Sequence, residues 1–198
     1  MARWKPGSPD RLQRAAMELF AERGFGATTV ADIADRAGVT ERTFFRHFVD
    51  KREVLFAGQE QLQKAFTDAI ALAPAGASAI ELVAASLDAG GKTLQSTRGR
   101  EYARMRNAVV AANEALQERE RLKLAKLSHA VADALTARGI EDSSARIAGD
   151  LLVSVFTTAF DRWIAPGETR DLSDLQREAL AAFRELAGAA EPQGRRAH

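Results

Sequence analysis

Four consecutive residues in the first quarter of the chain, Thr40, Glu41, Arg42 and Thr43, have the types needed to contact DNA bases. Thr40 is a preferred helix cap, so the other three would lie in the first turn of a helix. There the Arg42 guanidinium can donate two hydrogen bonds to O6 and N7 of guanine, and Thr43 can contact a thymine methyl group. Glu41 can accept from cytosine N4, but an acid at this place also suits the helix dipole, which we favour. The sequence therefore predicts base contacts by Arg42 and Thr43.

The residues around this turn meet the steric requirements of a helix-turn-helix. Ala34 is small where two helices would cross closely, and Gly38 lies where the chain must turn with a positive φ. Three apolar residues occupy positions at which the two helices would share a core: Ile33, Val39 and Phe44. Residues 29–48 thus predict a helix-turn-helix whose second helix enters the major groove. A generic helical hairpin is the alternative for this segment.

Polar residues on either side of the predicted groove-binding helix are placed for contacts to the DNA backbone. Thr29 has the type and position of a helix cap, with Asp32 three residues later as in a capping box. His47 and Lys51 follow the far end of the predicted helix, and we expect both to reach phosphates. The free N–H groups of the helix that begins near Lys51 could hold a phosphate as well.

Helical periodicity runs through the whole chain, and no period-2 alternation indicates a strand. Apolar steps bounded by caps, glycines and prolines predict nine helices, over residues 8–24, 29–37, 40–47, 51–73, 78–96, 100–111, 113–138, 143–165 and 171–188. Gly90-Gly91 is expected to kink or fray the fifth helix. The predicted fold is all-α, with an N-terminal three-helix helix-turn-helix domain (1–56), a C-terminal domain of about six helices (57–190) and a disordered tail (191–198).

The last two predicted helices carry more apolar residues than one neighbouring helix requires. Two such helices from each of two copies could pair as a four-helix bundle. The resulting twofold dimer would present two groove-binding helices about 34–36 Å apart or somewhat wider. The residues predicted at this interface are Leu152, Phe156, Trp163, Leu175, Ala179 and Phe183. The alternative is that both helices only complete the core of a monomer.

Large apolar and aromatic side chains on the central helices are candidates for lining a ligand cavity. They are Phe66, Leu87, Tyr102, Met105, Val109, Phe156 and Phe160. Each of them could equally belong to an ordinary core. A mostly apolar effector is the corresponding expectation, with fatty-acyl compounds, drugs and signalling lactones left open.

The residue inventory argues against catalysis, metals and cofactors. The chain has no cysteine, and its three histidines, His47, His129 and His198, are widely separated in sequence. Thiolate and clustered-histidine metal sites therefore lack their ligands. The segment Gly90-Gly91-Lys92-Thr93 looks like the end of a phosphate loop, but the upstream glycine and strand are missing. We expect no enzyme and no cofactor.

Charge and hydropathy predict a cytoplasmic protein. No stretch reaches the roughly 18 apolar residues of a membrane span. The N-terminus is basic, with Arg3 and Lys5, but no apolar segment of the signal-peptide type follows. The formal net charge is only +1, so the position of the cations matters more than their number. Arg3 and Lys5 precede the first predicted helix, where a DNA-contacting surface would need them.

Residues 8–56 resemble the DNA-binding domain of TetR-type regulators. The matching segments are residues 16–25 (AMELFAERGF), 28–34 (TTVADIA), 37–40 (AGVT) and 43–48 (TFFRHF), followed by Lys51. They cover about a quarter of the chain, and the remainder agrees only in its helical architecture. The resemblance implies a bacterial homodimer, cytoplasmic and nucleoid-associated when bound to DNA. Such regulators usually repress transcription from a palindromic operator and leave the DNA when a small molecule binds.

The resemblance also assigns contacts residue by residue. It places base contacts at Arg42 and Thr43, and backbone contacts at Thr29, Phe45, His47 and Lys51. Phe45 is a departure, because this position is often a tyrosine whose hydroxyl meets a phosphate. Phe45 can offer only van der Waals contact, so we expect the neighbouring Arg46 to supply the missing phosphate contact.

A helical adaptor that binds protein rather than DNA is the remaining alternative. The charged run Glu118-Arg119-Glu120-Arg121-Leu122-Lys123 could form the edge of a coiled coil, although such a run is more often a solvated helix face. An adaptor would not require the observed spacing of Ala34, Gly38 and Thr40. The spacing therefore favours the DNA-binding hypothesis.

Replacing the predicted base-contacting arginine should weaken specific binding. Arg42→Ala is expected to lose about 1–3 kcal/mol on the specific site and to relax the preference at one base pair. A gel-shift titration against the specific site and against single-base variants measures both effects. Equal affinities of the variant and the wild type for the specific site would refute the assignment.

Overall fold

Nine helices and the turns between them make up residues 7–188, the part of the chain that this computed structural model describes. Within that part every regular element is helical, as the periodicity predicted. The helices are α1 (Ser8–Ala27), α2 (Val30–Arg36), α3 (Glu41–His47), α4 (Lys51–Phe56), α5 (Gln59–Leu72), α6 (Ala79–Ala111), α7 (Glu114–Ala137), α8 (Asp142–Trp163) and α9 (Leu172–Gly188). Arg3, Lys5 and the tail 191–198 lie outside the described residues.

Side-chain caps fix the helix ends in the N-terminal region. Thr29 closes α2 as a capping box: its hydroxyl accepts from the Asp32 N–H at 3.1 Å, and its own N–H donates to the Asp32 carboxylate at 2.8 Å. Thr40 caps α3 by accepting from the Thr43 N–H at 3.2 Å. Between the two helices Gly38 has φ 65°, a conformation that a side chain resists. The predicted caps and the predicted turn are confirmed.

The chain is organised as two compact units that alternate along the sequence. The first contains the described residues up to Glu60 together with Glu101–Leu122. The second contains Gln61–Arg100 and the described residues from Lys123 onward. The first unit thus includes a segment, Glu101–Leu122, that the predicted division after residue 56 assigned to the C-terminal domain.

The first unit packs around a single apolar core. Helix α1 contacts α2, α3 and α4, and Phe44 of α3 is fully buried. The Phe44 ring lies 5.5 Å from that of Phe48, and Val39 packs against the same core from a half-buried position. The core residues are Leu12, Ala15, Ala16, Met17, Leu19, Phe20, Ile33, Ala37, Phe44, Phe48, Val54, Leu55, Phe56, Val110 and Leu116.

Two arginines tie the segment Glu101–Leu122 to α4. Arg106 forms a bidentate pair with Glu120 at 2.9 and 2.5 Å and also donates to the Leu55 carbonyl at 3.0 Å. Arg119 pairs with Glu53 of α4. Bidentate arginine–carboxylate pairs fix orientation as well as distance. This segment is therefore held on the short helix that follows the helix-turn-helix.

Glycines with positive φ interrupt the predicted helical segments at two places, one unexpected and one predicted. The predicted helix 51–73 is wrong, because the chain is interrupted at Gly58, where φ is 82°, and α4 and α5 are separate. The predicted break between helices 78–96 and 100–111 is confirmed: Gly99, with φ 71° and ψ 164°, is not helical and kinks α6 at this place.

The expected kink at Gly90-Gly91 is also wrong, because α6 is continuous there. The two glycines provide space instead of flexibility. A Cβ atom on Gly90 would lie 2.3 Å from the Phe66 ring, and one on Gly91 would lie 2.4 Å from Oε1 of Gln176. Glycine is needed because α5 and α9 each bring a side chain against the backbone of α6.

The second unit contains α8 and α9, which pack along each other. Leu152 and Trp163 of α8 and Leu175 of α9 are fully buried within it. Four rings form a row in which neighbouring centroids are 5.5, 6.0 and 6.1 Å apart: Phe66, Phe156, Phe160 and Trp163. The core of this unit is therefore partly aromatic.

Arg138, directly after α7, closes the C-terminus of α5. Its Nη1 donates to the carbonyls of Ile70 and Ala73, both at 2.8 Å, and its Nη2 donates to that of Pro74 at 2.7 Å. A cation at a helix C-terminus satisfies carbonyls that have no partner within the helix. This contact fixes the loop at Pro74, where the sequence predicted a helix to end.

A methyl group added at Gly90 should destabilise the protein. Gly90→Ala would overpack the site because the buried Phe66 ring lies where the new Cβ must go, at a cost of about 1–3 kcal/mol. Gly26→Ala is the matched control, since nothing lies within 4 Å of its Cβ position. Urea unfolding of both variants measures the difference. A Gly90→Ala protein as stable as the Gly26→Ala protein would contradict the packing described here.

Candidate nucleic-acid interface

One face of α3 presents cations to solvent while the opposite face is buried. Arg42, Arg46 and His47 are exposed, whereas Phe44 is fully buried. Arg42 makes no hydrogen bond or ion pair with any described residue, and Arg46 only approaches His47 at 3.5 Å. Uncommitted guanidinium groups on the first and second turns of a short helix can donate to base edges or to phosphates.

The Thr43 hydroxyl is already engaged at the start of α3. It lies 3.1 Å from the hydroxyl of Thr40, the cap of the helix, and the side chain is half-buried. This contact fixes the rotamer of Thr43, so its methyl group and hydroxyl have defined positions beside the exposed Arg42. Such preorganisation suits a base contact, because little side-chain freedom is lost on binding.

The Thr29 hydroxyl is likewise hydrogen-bonded within the chain, at the start of α2. Its hydroxyl donates to the Asp32 carboxylate at 2.7 Å, and that hydrogen bond is the main reason why the pKa of Asp32 is lowered. Arg23 of α1 adds an ion pair with Asp32 at 3.2 Å. Thr29 is exposed, so a contact to the DNA backbone is sterically open to it, but its first role is to hold α2.

Lys51 has an internal role that the sequence did not reveal. Its Nζ donates to the carbonyls of Phe25 and Thr28, each at 2.8 Å, and to that of Gly26 at 3.4 Å. It also lies 4.4 Å from the centre of the Phe25 ring, and burial lowers the pKa of this lysine. The ammonium group thereby joins α4 to the end of α1. The predicted phosphate contact stays a prediction, and it would have to compete with these carbonyls.

The start of α4 is occupied by an acid. Asp50 caps this helix by accepting from the N–H groups of Arg52 at 2.8 Å and Glu53 at 3.1 Å, and it also binds the Arg52 side chain. A carboxylate at this place repels a phosphate. The suggestion that these N–H groups hold a phosphate stays a prediction, and a phosphate would have to compete with Asp50 for two of them.

Two apolar side chains lie on the exposed side of α3 and the turn that follows it. Phe45 is 55% exposed and touches Phe44 edge to face at 5.4 Å, and Val49 is 84% exposed. Sequence reasoning identified Phe45 and missed Val49. Val49 lies beyond the end of α3, after the extended residue Phe48, so helical periodicity gave no signal for it.

Most of the predicted dimer residues are buried inside one chain. Leu152, Trp163 and Leu175 are fully buried, and Phe156 is nearly so. They belong to the core of the second unit, which corrects their assignment to the dimer interface. Ala179 is half-buried and Phe183 is exposed, and both are accessible to a second copy.

The predicted pocket residues separate into two groups. Tyr102, Met105 and Val109 pack against the core of the first unit. The other four belong to the second unit: Phe66, Leu87, Phe156 and Phe160. The three phenylalanines among them are part of the ring row described above. The structure therefore does not bring all seven together within one unit.

A polar groove of about 600 Å³, open to solvent, lies between α6 and the start of α9. Its lining residues are Asp88, Lys92, Gln95, Ser96, Asp171, Ser173, Asp174 and Arg177. The groove differs from the apolar cavity that was predicted. Over residues 7–188, no group of three acidic or histidine side chains is arranged to hold a metal ion. No helix in that range is long and apolar enough to cross a membrane.

Removing the Lys51 ammonium should destabilise the first unit. Lys51→Met leaves the carbonyls of Phe25 and Thr28 without their charged donor, and hydrogen bonds to a charged group contribute about 1.5–3 kcal/mol. Partial exposure of the site puts the expected loss near the lower end. Arg46→Ala, which removes an exposed cation on α3, is the control and should leave stability unchanged. Urea unfolding measures both, and unchanged stability of Lys51→Met would contradict the structural role.

Salt dependence separates the two roles of these cations. Removing a residue that contacts one phosphate reduces the slope of log DNA affinity against log salt concentration by about one. Arg46→Ala should show that change. If Lys51→Met shows it as well, after correction for any unfolded fraction, the phosphate contact predicted for Lys51 is supported in addition to its internal contacts.

Two family profiles match separate parts of the chain. Residues 12–57 match the profile described as bacterial regulatory proteins, tetR family, and residues 78–187 match the MftR C-terminal domain. The transcriptional regulator TcmR of Streptomyces glaucescens is 39% identical over 80 residues, 40% of this chain and 35% of TcmR. The transcriptional repressor KstR2 of Mycobacterium tuberculosis H37Rv is 42% identical over 57 residues, 29% of this chain and 26% of KstR2. The chain thus matches only about a third or less of the length of these relatives.

Solved structures agree in fold over nearly the whole chain. The TetR-family repressor FadR of Thermus thermophilus, solved with lauroyl-CoA, superposes with a TM-score of 0.59 at 24% identity and covers 96% of this chain and 98% of its own. At that identity the likeness supports the fold alone. This likeness agrees with the helical architecture predicted from the sequence. The profile match over residues 78–187 covers more than half of the chain. The chain belongs to the TetR family of bacterial regulatory proteins.

Proposed function

We propose that the protein is a homodimeric transcriptional repressor that binds a palindromic operator and releases it when a small molecule binds. It would act in the cytoplasm and at the nucleoid when bound to DNA. The observation that carries the proposal is the exposed, uncommitted Arg42 on the first turn of α3, a helix anchored from behind by the buried Phe44. The names of the relatives, a transcriptional regulator and a transcriptional repressor, support the same function.

The proposed DNA contacts follow from which side chains are exposed and which are already hydrogen-bonded within the chain. Arg42 and Thr43 would meet base edges in the major groove, since they lie in the first turn of α3. Arg46 and His47, exposed in its last turn, would bind phosphates. Thr29 and Phe45 would contact the sugar-phosphate backbone. Lys51 would act mainly through its bonds to α1.

The proposed dimer interface uses the exposed apolar residues of α8 and α9. Ile147 of α8 is 67% exposed, and Phe183 and Leu186 of α9 are exposed as well. Large apolar side chains in solvent are explained if a second copy covers them. Ala179, half-buried on α9, is small enough to allow close approach of a second helix.

The proposed effector binds within the second unit. Phe66, Leu87, Phe156 and Phe160 remain candidates for contacting an apolar part of it, and the three phenylalanine rings pack in one row. The Thermus thermophilus FadR was solved with lauroyl-CoA, so a fatty acyl-CoA is the first class to test.

Footprinting tests the proposal against the adaptor alternative. Genomic fragments retained by the protein are digested with and without it, and a repressor is expected to protect a short palindromic site. Addition of lauroyl-CoA should restore cleavage if it is the effector. Absence of any sequence-specific protection would remove the proposed function and favour an adaptor, whereas protection that lauroyl-CoA does not relieve would reject only that effector.

Acidic substitutions on the exposed faces of α8 and α9 should disrupt the dimer. Ile147→Glu and Phe183→Glu each place a charge in an apolar contact, which costs several kcal/mol when the charge is buried without a partner. Leu72→Glu, at an exposed apolar site on α5, is the matched control and should leave the dimer intact. Phe156→Glu does not test the interface, because Phe156 is buried and the variant should unfold instead. Light scattering that finds intact dimers for Ile147→Glu and Phe183→Glu would refute this interface.

A further inference from the structure

The guanidinium of Arg11, a residue of α1, lies beside the turn between α2 and α3. The atom nearest to the position that a Cβ would take on Gly38 is Arg11 Nη1, 4.0 Å away. Arg11 and Gly38 are both exposed. The backbone that carries Arg11 is fixed, because it lies in the first turn of α1 and is followed directly by the fully buried Leu12. A cation is therefore held on the exposed side of the turn that precedes α3.

This guanidinium is not neutralised within the chain. Arg11 makes no side-chain hydrogen bond and no ion pair with any of residues 7–188, its sequence neighbour Asp10 included. The other arginine next to the turn, Arg36, differs in this respect. It binds both carboxylate oxygens of Glu22, at 2.9 and 2.8 Å, and approaches Glu18 at 3.5 Å. Arg11 is thus the arginine at this turn that can form a charge-assisted hydrogen bond with an external anion.

The position of Arg11 fits that of a phosphate at the edge of the major groove. In a helix-turn-helix the first helix, here α2, crosses the DNA backbone while the second lies in the groove. Gly38 precedes Thr40, the cap of α3, by two residues, so their Cα atoms are at most about 7.6 Å apart. The groove is about 12 Å wide, so its edges lie about 6 Å from a helix at its centre. A guanidinium beside Gly38 is therefore at a suitable distance from the start of α3.

We propose that Arg11 binds a phosphate of the operator and so holds the turn of the helix-turn-helix against the DNA backbone. Arg11 would act as a positioning residue for α3, because a phosphate contact fixes orientation and carries no sequence information directly. The inference rests on the proposed function, to which it adds a contact from α1.

Arg11 and Thr29 would contact different phosphates. Thr29 caps the start of α2, whereas Arg11 lies beside the turn that follows its end. Helix α2 has seven residues and is therefore about 10 Å long. The two contacts together would fix both ends of α2 on the DNA, which determines the angle at which α3 enters the groove.

Removing the charge of Arg11 tests the contact in the full chain. Arg11→Gln keeps a polar side chain and should weaken binding to the specific site about tenfold, as expected for one lost hydrogen bond to a charged group. The slope of log affinity against log salt concentration should fall by about one, while the preference among single-base variants of the site stays the same. Lys126→Gln is the matched control, since this exposed cation of the second unit has no ion pair with a described residue and should change neither quantity. An unchanged salt slope for Arg11→Gln would overturn the proposal.

Neutral phosphates locate the contact on the DNA. Single phosphates of the specific site are replaced in turn by methylphosphonates, and the affinities of the wild type and the variants are compared. At one phosphate the wild type should lose affinity and Arg11→Gln should not. Arg46→Ala should become insensitive at a different phosphate, because Arg46 lies in the last turn of α3. If Arg11→Gln remains as sensitive as the wild type at every phosphate, the contact is rejected.

Stability and DNA binding of the two proteins separate this inference from the proposed function. The Tm of Arg11→Gln should equal that of the wild type, because the guanidinium has no partner among the described residues. A large fall in Tm would show that Arg11 is engaged within the chain and would contradict the proposal. If the wild type binds no DNA sequence specifically, the proposed function fails and the contact fails with it. If the wild type binds its site and Arg11→Gln binds it with the same affinity and salt slope, only the Arg11 contact fails.

Discussion

The burial of Phe44 is the interaction on which the DNA-facing surface depends. Helix α3 has only seven residues, too few to be stable alone in water. Burying one phenylalanine side chain contributes about 1.5–3 kcal/mol, and Phe44 is fully buried against α1 and its neighbours. Because Phe44 faces inward, the helix period places Arg42 and Arg46, two residues away on either side, toward solvent. The buried Phe44 ring therefore determines which side chains of α3 are exposed for contact with DNA.

Polar contacts at the helix ends add to the stability that the apolar core provides. The Thr29 and Thr40 caps hold the first turns of α2 and α3, each contributing about 1 kcal/mol. Lys51 then joins α4 to three carbonyls at the end of α1. Arg106 and Arg119 connect α4 to the segment Glu101–Leu122, which α6 and α7 supply. The short helices of the first unit are thus fixed by contacts from both halves of the sequence.

Local features of this fold could be predicted from the sequence, and long-range ones could not. Thr29, Gly38 and Thr40 act on residues within a few positions, so residue type and spacing were sufficient. The internal bonds of Lys51 span more than 20 residues, and no periodic pattern carries that information. The same limit applies to Gly91, whose neighbour Gln176 is distant in sequence. Apolar periodicity identified α8 and α9 as buried helices, but it does not distinguish the core of one chain from a contact between two, which is why Leu152 was misassigned.

Amide hydrogen exchange of the full chain, with and without its selected DNA, tests most directly whether the exposed face of α3 binds DNA. Slower exchange is expected in the peptides that contain Thr29 and the first turn of α3 from Thr40 to Thr43. The already buried residues around Leu12 should change little, since they are protected by the core in both states. Unchanged exchange over residues 29–48 while the DNA remains bound would contradict the account, because binding would then use another surface.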